Sequence, residues 1–207
     1  MSLTARILLF AKAPVPGRAK TRLIPALGAD GAAQLHEQLL RATVAKLSGP
    51  SLPPIELWCA PDGSHQVFRD LARQYKLELH DQSCGDLGAR LLAAAVDALR
   101  RADCVLMIGG DCPELGCTEV AMAHDALRRP GVDALLGPAA DGGYVMLGLR
   151  RAEASLFASM PWGGDRVAAI TRKRMAALGW CWEELPALRD VDRPDDLAWY
   201  RENFEGK

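Results

Sequence analysis

Val105-Leu106-Met107-Ile108-Gly109-Gly110-Asp111 is a short apolar run that ends in two glycines and a carboxylate. An unbroken apolar run of this length suits a strand buried on both faces, since a half-exposed strand would alternate. A second run, Ile7-Leu8-Leu9-Phe10-Ala11, has the same character and leads into a loop rich in cations. Between and beyond these runs the chain alternates strand and helix. Leu35, Leu39, Leu40, Val44 and Leu47 recur at helical spacing, and Pro50, Pro53 and Pro54 end that helix. Strands are expected at 55–60, 77–80, 105–108, 134–136, 144–147 and 180–185. Helices are expected at 66–75, 87–99, 118–128, 151–159, 166–178 and from Pro194, with a long loop over 12–28. Regular alternation of this kind predicts a three-layer α/β/α sandwich around a mostly parallel sheet, in a single domain over residues 1–207.

Composition agrees. The 207 residues are 49% hydrophobic, with 25 Lys plus Arg against 26 Asp plus Glu. Such a chain is neither disordered nor a general nucleic-acid coat. No apolar run approaches the roughly 20 residues that a spanning helix needs, so no membrane insertion is expected. The first 29 residues carry five cations and no acid, a leader-like bias. The Ile7–Ala11 run nevertheless reads as a first strand, and the protein is read as cytoplasmic and unprocessed. None of the six cysteines forms a Cys-x-x-Cys pair; Cys104 and Cys181 read as small core residues.

In parallel sheets ligands bind beyond the carboxyl ends of the strands, so the segments that follow each strand carry the functional reading. After the first comes Lys12-Ala13-Pro14-Val15-Pro16-Gly17-Arg18-Ala19-Lys20-Thr21-Arg22, with four cations in eleven residues. Backbone N–H groups near Gly17 together with Lys and Arg side chains suit a polyanion, although a solvated basic loop has the same composition. The spacing is neither that of a Walker loop nor that of a dinucleotide fingerprint. Asp111 suits a divalent cation shared with phosphate oxygens, or an Asx turn into the next helix. Asp141-Gly142-Gly143 between two strands is a hairpin turn signal, and its glycines also permit close backbone approach to a ligand. In Asp190-Val191-Asp192-Arg193-Pro194, Pro194 opens a helix with Arg193 as its cap, and Asp195 and Asp196 fall in the first turn. Asp190 and Asp192 have no capping duty, which leaves them as a second metal ligand or an acceptor of a substrate hydroxyl. Gly85-Asp86 precedes a helix that Asp86 caps, in a loop able to pack on a nucleobase. His36, His65, His80 and His124 lie outside these loops, so no general base is evident.

The five segments together resemble those of a bacterial family of glycosyltransferase-A-like proteins related to nucleotide-diphospho-sugar transferases. The resemblance runs through Phe10–Pro14, Lys20–Leu23, Gly85–Gly88, Gly110–Pro113, Gly137-Pro138 with Asp141–Tyr144, and Asp190–Asp192. More distantly the chain is similar to molybdenum-cofactor nucleotidyltransferases and phospholactate guanylyltransferases. The resemblance implies a transferase using Mg²⁺ or Mn²⁺ and a nucleotide or nucleotide sugar, with a small-molecule acceptor; a homodimer is compatible with it. Asp111 matches the metal-binding aspartate, and Asp190 or Asp192 is expected to complete the metal shell or orient the acceptor. Lys12, Gly17, Arg18, Lys20, Arg22, Gly85, Asp86, Gly142 and Gly143 match the nucleotide-binding elements. Lys20, Arg22 and Asp111 are the expected catalytic groups, offsetting charge on the departing nucleotide. Glycosyl transfer leads, nucleotidyl transfer with release of pyrophosphate is the alternative, and a non-catalytic nucleotide binder is a third reading. Two departures from the family pattern stand out. Asp165 follows Trp162-Gly163-Gly164 where a hydroxyl residue is usual, and either caps the next helix in its place or alters the acceptor pocket; Arg193 replaces a Thr.

Overall fold

Strands β1 (Ala5–Lys12), β2 (Ile55–Ala60), β3 (Glu78–Asp81), β4 (Cys104–Gly109), β5 (Ala134–Pro138), β6 (Tyr144–Leu149) and β7 (Trp182–Glu184) form one sheet in the order β3-β2-β1-β4-β6-β5-β7. The computed structural model describes residues 3–204. The pairings β1 with β2, β1 with β4, β2 with β3 and β5 with β7 are parallel. β6 pairs antiparallel with both neighbours, so it alone runs against the rest. The expected mostly parallel sheet is present.

Helices α1 (Ile24–Leu47), α2 (Gln66–Tyr75) and α4 (Cys117–Arg128) cover one face, and α3 (Leu87–Ala98), α5 (Ala154–Phe157) and α6 (Val167–Ala177) cover the other. Strand periodicity explains this. In β1, Ile7 and Leu9 join the α1/α2/α4 core, while Leu8 joins the α3/α5/α6 core. All three are fully buried, which is why the run shows no polar alternation. A third cluster, built from Leu23, Leu35, Leu39, Val191 and Leu197, fixes α7 (Pro194–Asn203) to the start of α1. No helix of the described residues is long and apolar enough to cross a membrane.

Several boundaries differ from expectation. The loop expected over 12–28 is shorter, because Pro25 sits in the first turn of α1, where a missing N–H costs no bond. Gly28, at φ 71° and ψ 171°, is non-helical, so α1 is a short first turn and a long helix joined across a kink. The 151–159 helix contracts to α5, and the 180–185 strand to β7. All six cysteines are free; Cys104 is in the core, but Cys181 is exposed, contrary to its reading as a core residue. Arg193 caps α7 as expected, and the Asp196 carboxylate accepts from its N–H at 2.8 Å. Asp165 does not cap α6, whose cap is Arg166. Instead the Gly142 carbonyl accepts from the Ala168 N–H at 3.0 Å, in the first turn of α6.

Two features carry measurable consequences. Gly142 has φ 90°, and a Cβ there would lie 2.0 Å from the Asp165 carbonyl oxygen. Gly142→Ala is expected to destabilise the protein by more than about 2 kcal/mol. A chemical denaturation curve within about 0.5 kcal/mol of wild type would contradict this close approach. Near the amino ends of β2 and β3, Glu56 is 1% exposed, and Arg101 holds it at 2.9 and 3.4 Å. Arg6 adds a contact at 3.7 Å. Arg101→Ala leaves a buried carboxylate poorly paired and is expected to cost about 2 kcal/mol. For a chain of this size that is a fall of about 4–8 °C in Tm. An unchanged Tm would mean that Arg6 alone suffices.

Candidate functional site

The site forms where β4 and its antiparallel neighbour β6 part. Their pairing reaches Ile108 and Met146, and beyond it the chain turns through Gly109 and Gly110 to Asp111. Both glycines have a local reason. A Cβ on Gly110 would meet Leu40 of α1 at 3.0 Å, and one on Gly109 would lie 2.8 Å from the Asp111 carboxylate. The chain thus passes tightly over α1 while the carboxylate folds back over the strand end.

The cationic loop comes to this point. Lys20 has a left-handed backbone, φ 45° and ψ 45°, and a side chain only 5% exposed. Its Nζ donates to Asp111 Oδ2 at 2.8 Å and lies 3.5 Å from Asp192 Oδ1. Arg22 Nη1 donates to Asp192 Oδ2 at 2.6 Å, and its Nη2 to the Gly163 carbonyl at 3.4 Å. Asp190 and Asp192 reach Asp111 because Val191, between them, is fully buried under α1 and α7. The Val191 N–H donates to the Asp111 carbonyl at 3.0 Å. One apolar anchor therefore sets two carboxylates beside a third.

Electrostatics follow from this crowding. Burial works against the Lys20 charge, but Asp111, Asp192 and Asp190 outweigh it and hold its pKa above the usual lysine value. Burial likewise opposes ionisation of Asp111, and the Lys20 ammonium overcomes it, so the Asp111 carboxyl is lowered. Asp190 goes the other way: burial and the carboxylates of Asp111 and Asp141 push it up to about 6. A donor set of three hard carboxylate groups facing two cations, Lys20 and Arg22, is of the kind that could hold Mg²⁺ or Mn²⁺. The tightest acid–histidine group among the described residues lies elsewhere, at Glu56, Glu78 and His80. Arginines already neutralise it.

A cleft of about 390 Å³ opens beside Asp111, with Arg22, Asp141, Gly143, Asp190 and Asp192 on its walls together with Phe10, Leu87, Leu91, Met107, Tyr144 and Trp162. Gly142 instead backs onto the 165 segment. The basic loop is divided between two clefts. Lys12 and Arg18 line a second one of about 500 Å³, together with His65 and Arg90. Gly17 takes φ 76° in the loop that carries them. Gly85 and Asp86 lie at the start of α3, where Asp86 accepts from the Ala89 N–H at 2.8 Å and the Gly85 carbonyl accepts from Arg90 at 3.0 Å. Their service to the site is indirect: they orient Arg90.

One residue outside the motif loops belongs here. His36 of α1 is buried, and its Nε2 is 2.8 Å from the Lys12 carbonyl, at the base of the basic loop. Burial lowers its pKa, keeping the ring neutral beside the cations, and Nδ1 has no partner. In sequence His36 sits on the apolar stripe of α1 between Leu35 and Leu39, so its spacing signals core. Its only other signal is that this stripe faces the strand end where the loop begins.

Comparison with known proteins identifies relatives of this fold. The chain is similar to the crystal structure of a protein from Desulfovibrio desulfuricans G20 provisionally described as a nucleotide-diphospho-sugar transferase. The two are 29% identical, with 98% of this chain and 89% of that one covered and a TM-score of 0.86. A cytidylyltransferase from Leptospira borgpetersenii shares the fold at 16% identity, TM-score 0.58, over 94% and 84% of the two chains. Glucosyl-3-phosphoglycerate synthase from Mycobacterium tuberculosis, solved with Mn²⁺, UDP and phosphoglyceric acid, shares it at 13% identity, TM-score 0.52, over 95% and 74%. No curated protein matches the sequence. Residues 43–164 match the bacterial family described as "Uncharacterized protein conserved in bacteria (DUF2064)". With a match over more than half its length, and a site assembled from the strand ends of that fold, the chain belongs to the DUF2064 family.

Proposed function

We propose that this protein is a divalent-metal-dependent transferase that moves a glycosyl group from a nucleotide-diphospho-sugar to a small acceptor. The observation that carries the reading is the convergence of Lys20 and Arg22 on Asp111 and Asp192 at the carboxyl end of β4. The name of the 29%-identical neighbour supports it, as do the Mn²⁺ and UDP held by the M. tuberculosis enzyme of the same fold.

Each residue has a part set by its chemistry. Asp111, with Asp190 and Asp192, supplies oxygen donors for Mg²⁺ or Mn²⁺. Such an ion, when bound, neutralises charge on a diphosphate leaving group. Lys20 and Arg22 place two fixed positive charges at the same point, with no reorganisation needed as charge builds on the departing oxygen. Lys12, Arg18 and Arg90, facing the second cleft, would hold the rest of the nucleotide. Asp190 and Asp192 would orient the acceptor hydroxyl where they are not committed to metal.

The reading predicts that UDP, or another nucleoside diphosphate, binds at least about tenfold more tightly with Mn²⁺ than without it. Asp111→Ala should abolish that difference in calorimetric titration. Diphosphate binding indifferent to both metal and mutation would leave only a nucleotide binder. Turnover should release nucleoside diphosphate; release of pyrophosphate would replace glycosyl by nucleotidyl transfer. Lys20→Ala gives a test of opposite signs. Diphosphate affinity should fall by about tenfold to a hundredfold, the size of a lost charged hydrogen bond, while nucleoside affinity holds. Mn²⁺ affinity without nucleotide, read by electron paramagnetic resonance, should rise as the competing ammonium is removed. A fall in both would show that Lys20 assembles the carboxylates rather than competing for them.

A further inference from the structure

The cleft beside Asp111 has two chemically distinct parts. Its charged groups, Arg22, Asp111, Asp141, Asp190 and Asp192, belong to the loops beyond the strand ends. Its other side chains are apolar or aromatic. Phe10, Leu91, Met107, Tyr144 and Trp162 come from one packed cluster on the α3/α5/α6 face. Leu87, at the first position of α3, completes the wall and is 42% exposed, unusual for a large apolar residue.

Two aromatic side chains form much of this wall. Tyr144 and Trp162 meet edge to face, with centroids 6.2 Å apart at 78°. The Trp162 indole N–H is buried without a partner against Gly88, where a Cβ would lie 3.2 Å from Nε1. Gly88 thus lets the indole lie on α3 with its donor turned inward. Burial raises the pKa of the Tyr144 phenol, so that hydroxyl stays neutral.

A volume of about 390 Å³ is the size of a small-molecule site. Phosphates belong at the cationic end, so what enters the other part is the uncharged end of a substrate. A sugar there would lose water from several hydroxyls and meet a wall whose one side-chain hydroxyl, that of Tyr144, replaces little of it. A nucleobase would bury its hydrogen-bonding edge in the same way. An apolar ring would lose nothing and gain the area it removes from water.

We infer that the chamber formed by Phe10, Leu87, Leu91, Met107, Tyr144 and Trp162 binds an acceptor that carries a compact apolar or aromatic group, its hydroxyl directed to the carboxylate rim. This rests on the transferase reading for the acceptor's role, and the test separates the two. Benzyl alcohol serves as probe, with glucose as polar control and UDP with Mg²⁺ as nucleotide, each titrated into the full-length protein by saturation-transfer NMR. Benzyl alcohol should bind at least about tenfold more tightly than glucose, as expected for removing a six-membered apolar ring from water. UDP should not displace it. Leu87→Asp should weaken benzyl alcohol by about tenfold by placing a charge on the wall. This variant suits folding, because Leu87 is exposed and an acid in the first helical turn is favourable. Equal or tighter binding of glucose, displacement by UDP, indifference to Leu87→Asp, or no binding of benzyl alcohol would each overturn the inference. If UDP fails to bind while benzyl alcohol binds as described, the transferase reading fails and the apolar chamber stands.

Discussion

The Lys20 ammonium, buried between the carboxylates of Asp111 and Asp192, is the contact on which the site depends. It joins three parts of the chain that are remote in sequence: the loop after β1, the end of β4 and the segment before α7. Without a cation at that point, three carboxylates gathered by Val191 and the Gly109-Gly110 turn would repel one another at short range. The Asp190 carboxyl is raised first by burial and then by the carboxylates of Asp111 and Asp141, which Lys20 offsets only in part. The proposed divalent cation would complete that balance. A structural cluster of the same residue types would have been neutralised in place.

The single reversed strand decides where this happens. Parallel strands β1, β2 and β4 deliver their following loops to one end of the sheet, which concentrates chemistry there. β6 enters from that same end, so the Asp141–Gly143 turn arrives beside Asp111 from the opposite direction. The gap between the diverging ends of β4 and β6 is the mouth of the cleft. Gly142 then ties the turn to α6, through its carbonyl and through the absence of a side chain against Asp165. The cleft wall and the helix that backs it are therefore in direct backbone contact.

Much of this was legible before the structure. The runs at 55–60 and 66–75 gave elements with the expected boundaries, because prolines and an apolar period marked both ends. The prediction that ligands gather beyond parallel strand ends placed Lys20, Arg22 and Asp111 together. The failures have physical causes. Pro25 looked like loop because proline both breaks helices and opens them, and only its position relative to the first turn distinguishes the two. Cys181 looked buried because its neighbours Trp180 and Trp182 are apolar, but side chains alternate along an extended segment, and Trp180 alone is buried there. The division of the basic loop between two clefts, and His36 beneath it, depend on tertiary contacts that one-dimensional spacing does not encode.

The two acid clusters of this protein show why counting carboxylates does not locate a site. Glu56, Glu78 and His80 lie closer together than Asp111, Asp190 and Asp192 do, and on proximity alone they would be the better metal group. Their counter-ion is the guanidinium of Arg101, which grips Glu56 with two nitrogens and Asp97 with one of the same pair. A planar fork held in this way is a fixed part of the packing, and displacing it would cost several hydrogen bonds at once. The counter-ion at Asp111 is an ammonium on a flexible stem, making one hydrogen bond and one longer ion pair. Such a point charge is held in place by burial, but it leaves other carboxylate oxygens of the cluster uncommitted. Arg22 also holds Asp192, at 2.6 Å, so it is the carboxylate oxygens left uncommitted in a cleft, more than the density of acids, that separate this cluster from the one that holds the sheet together.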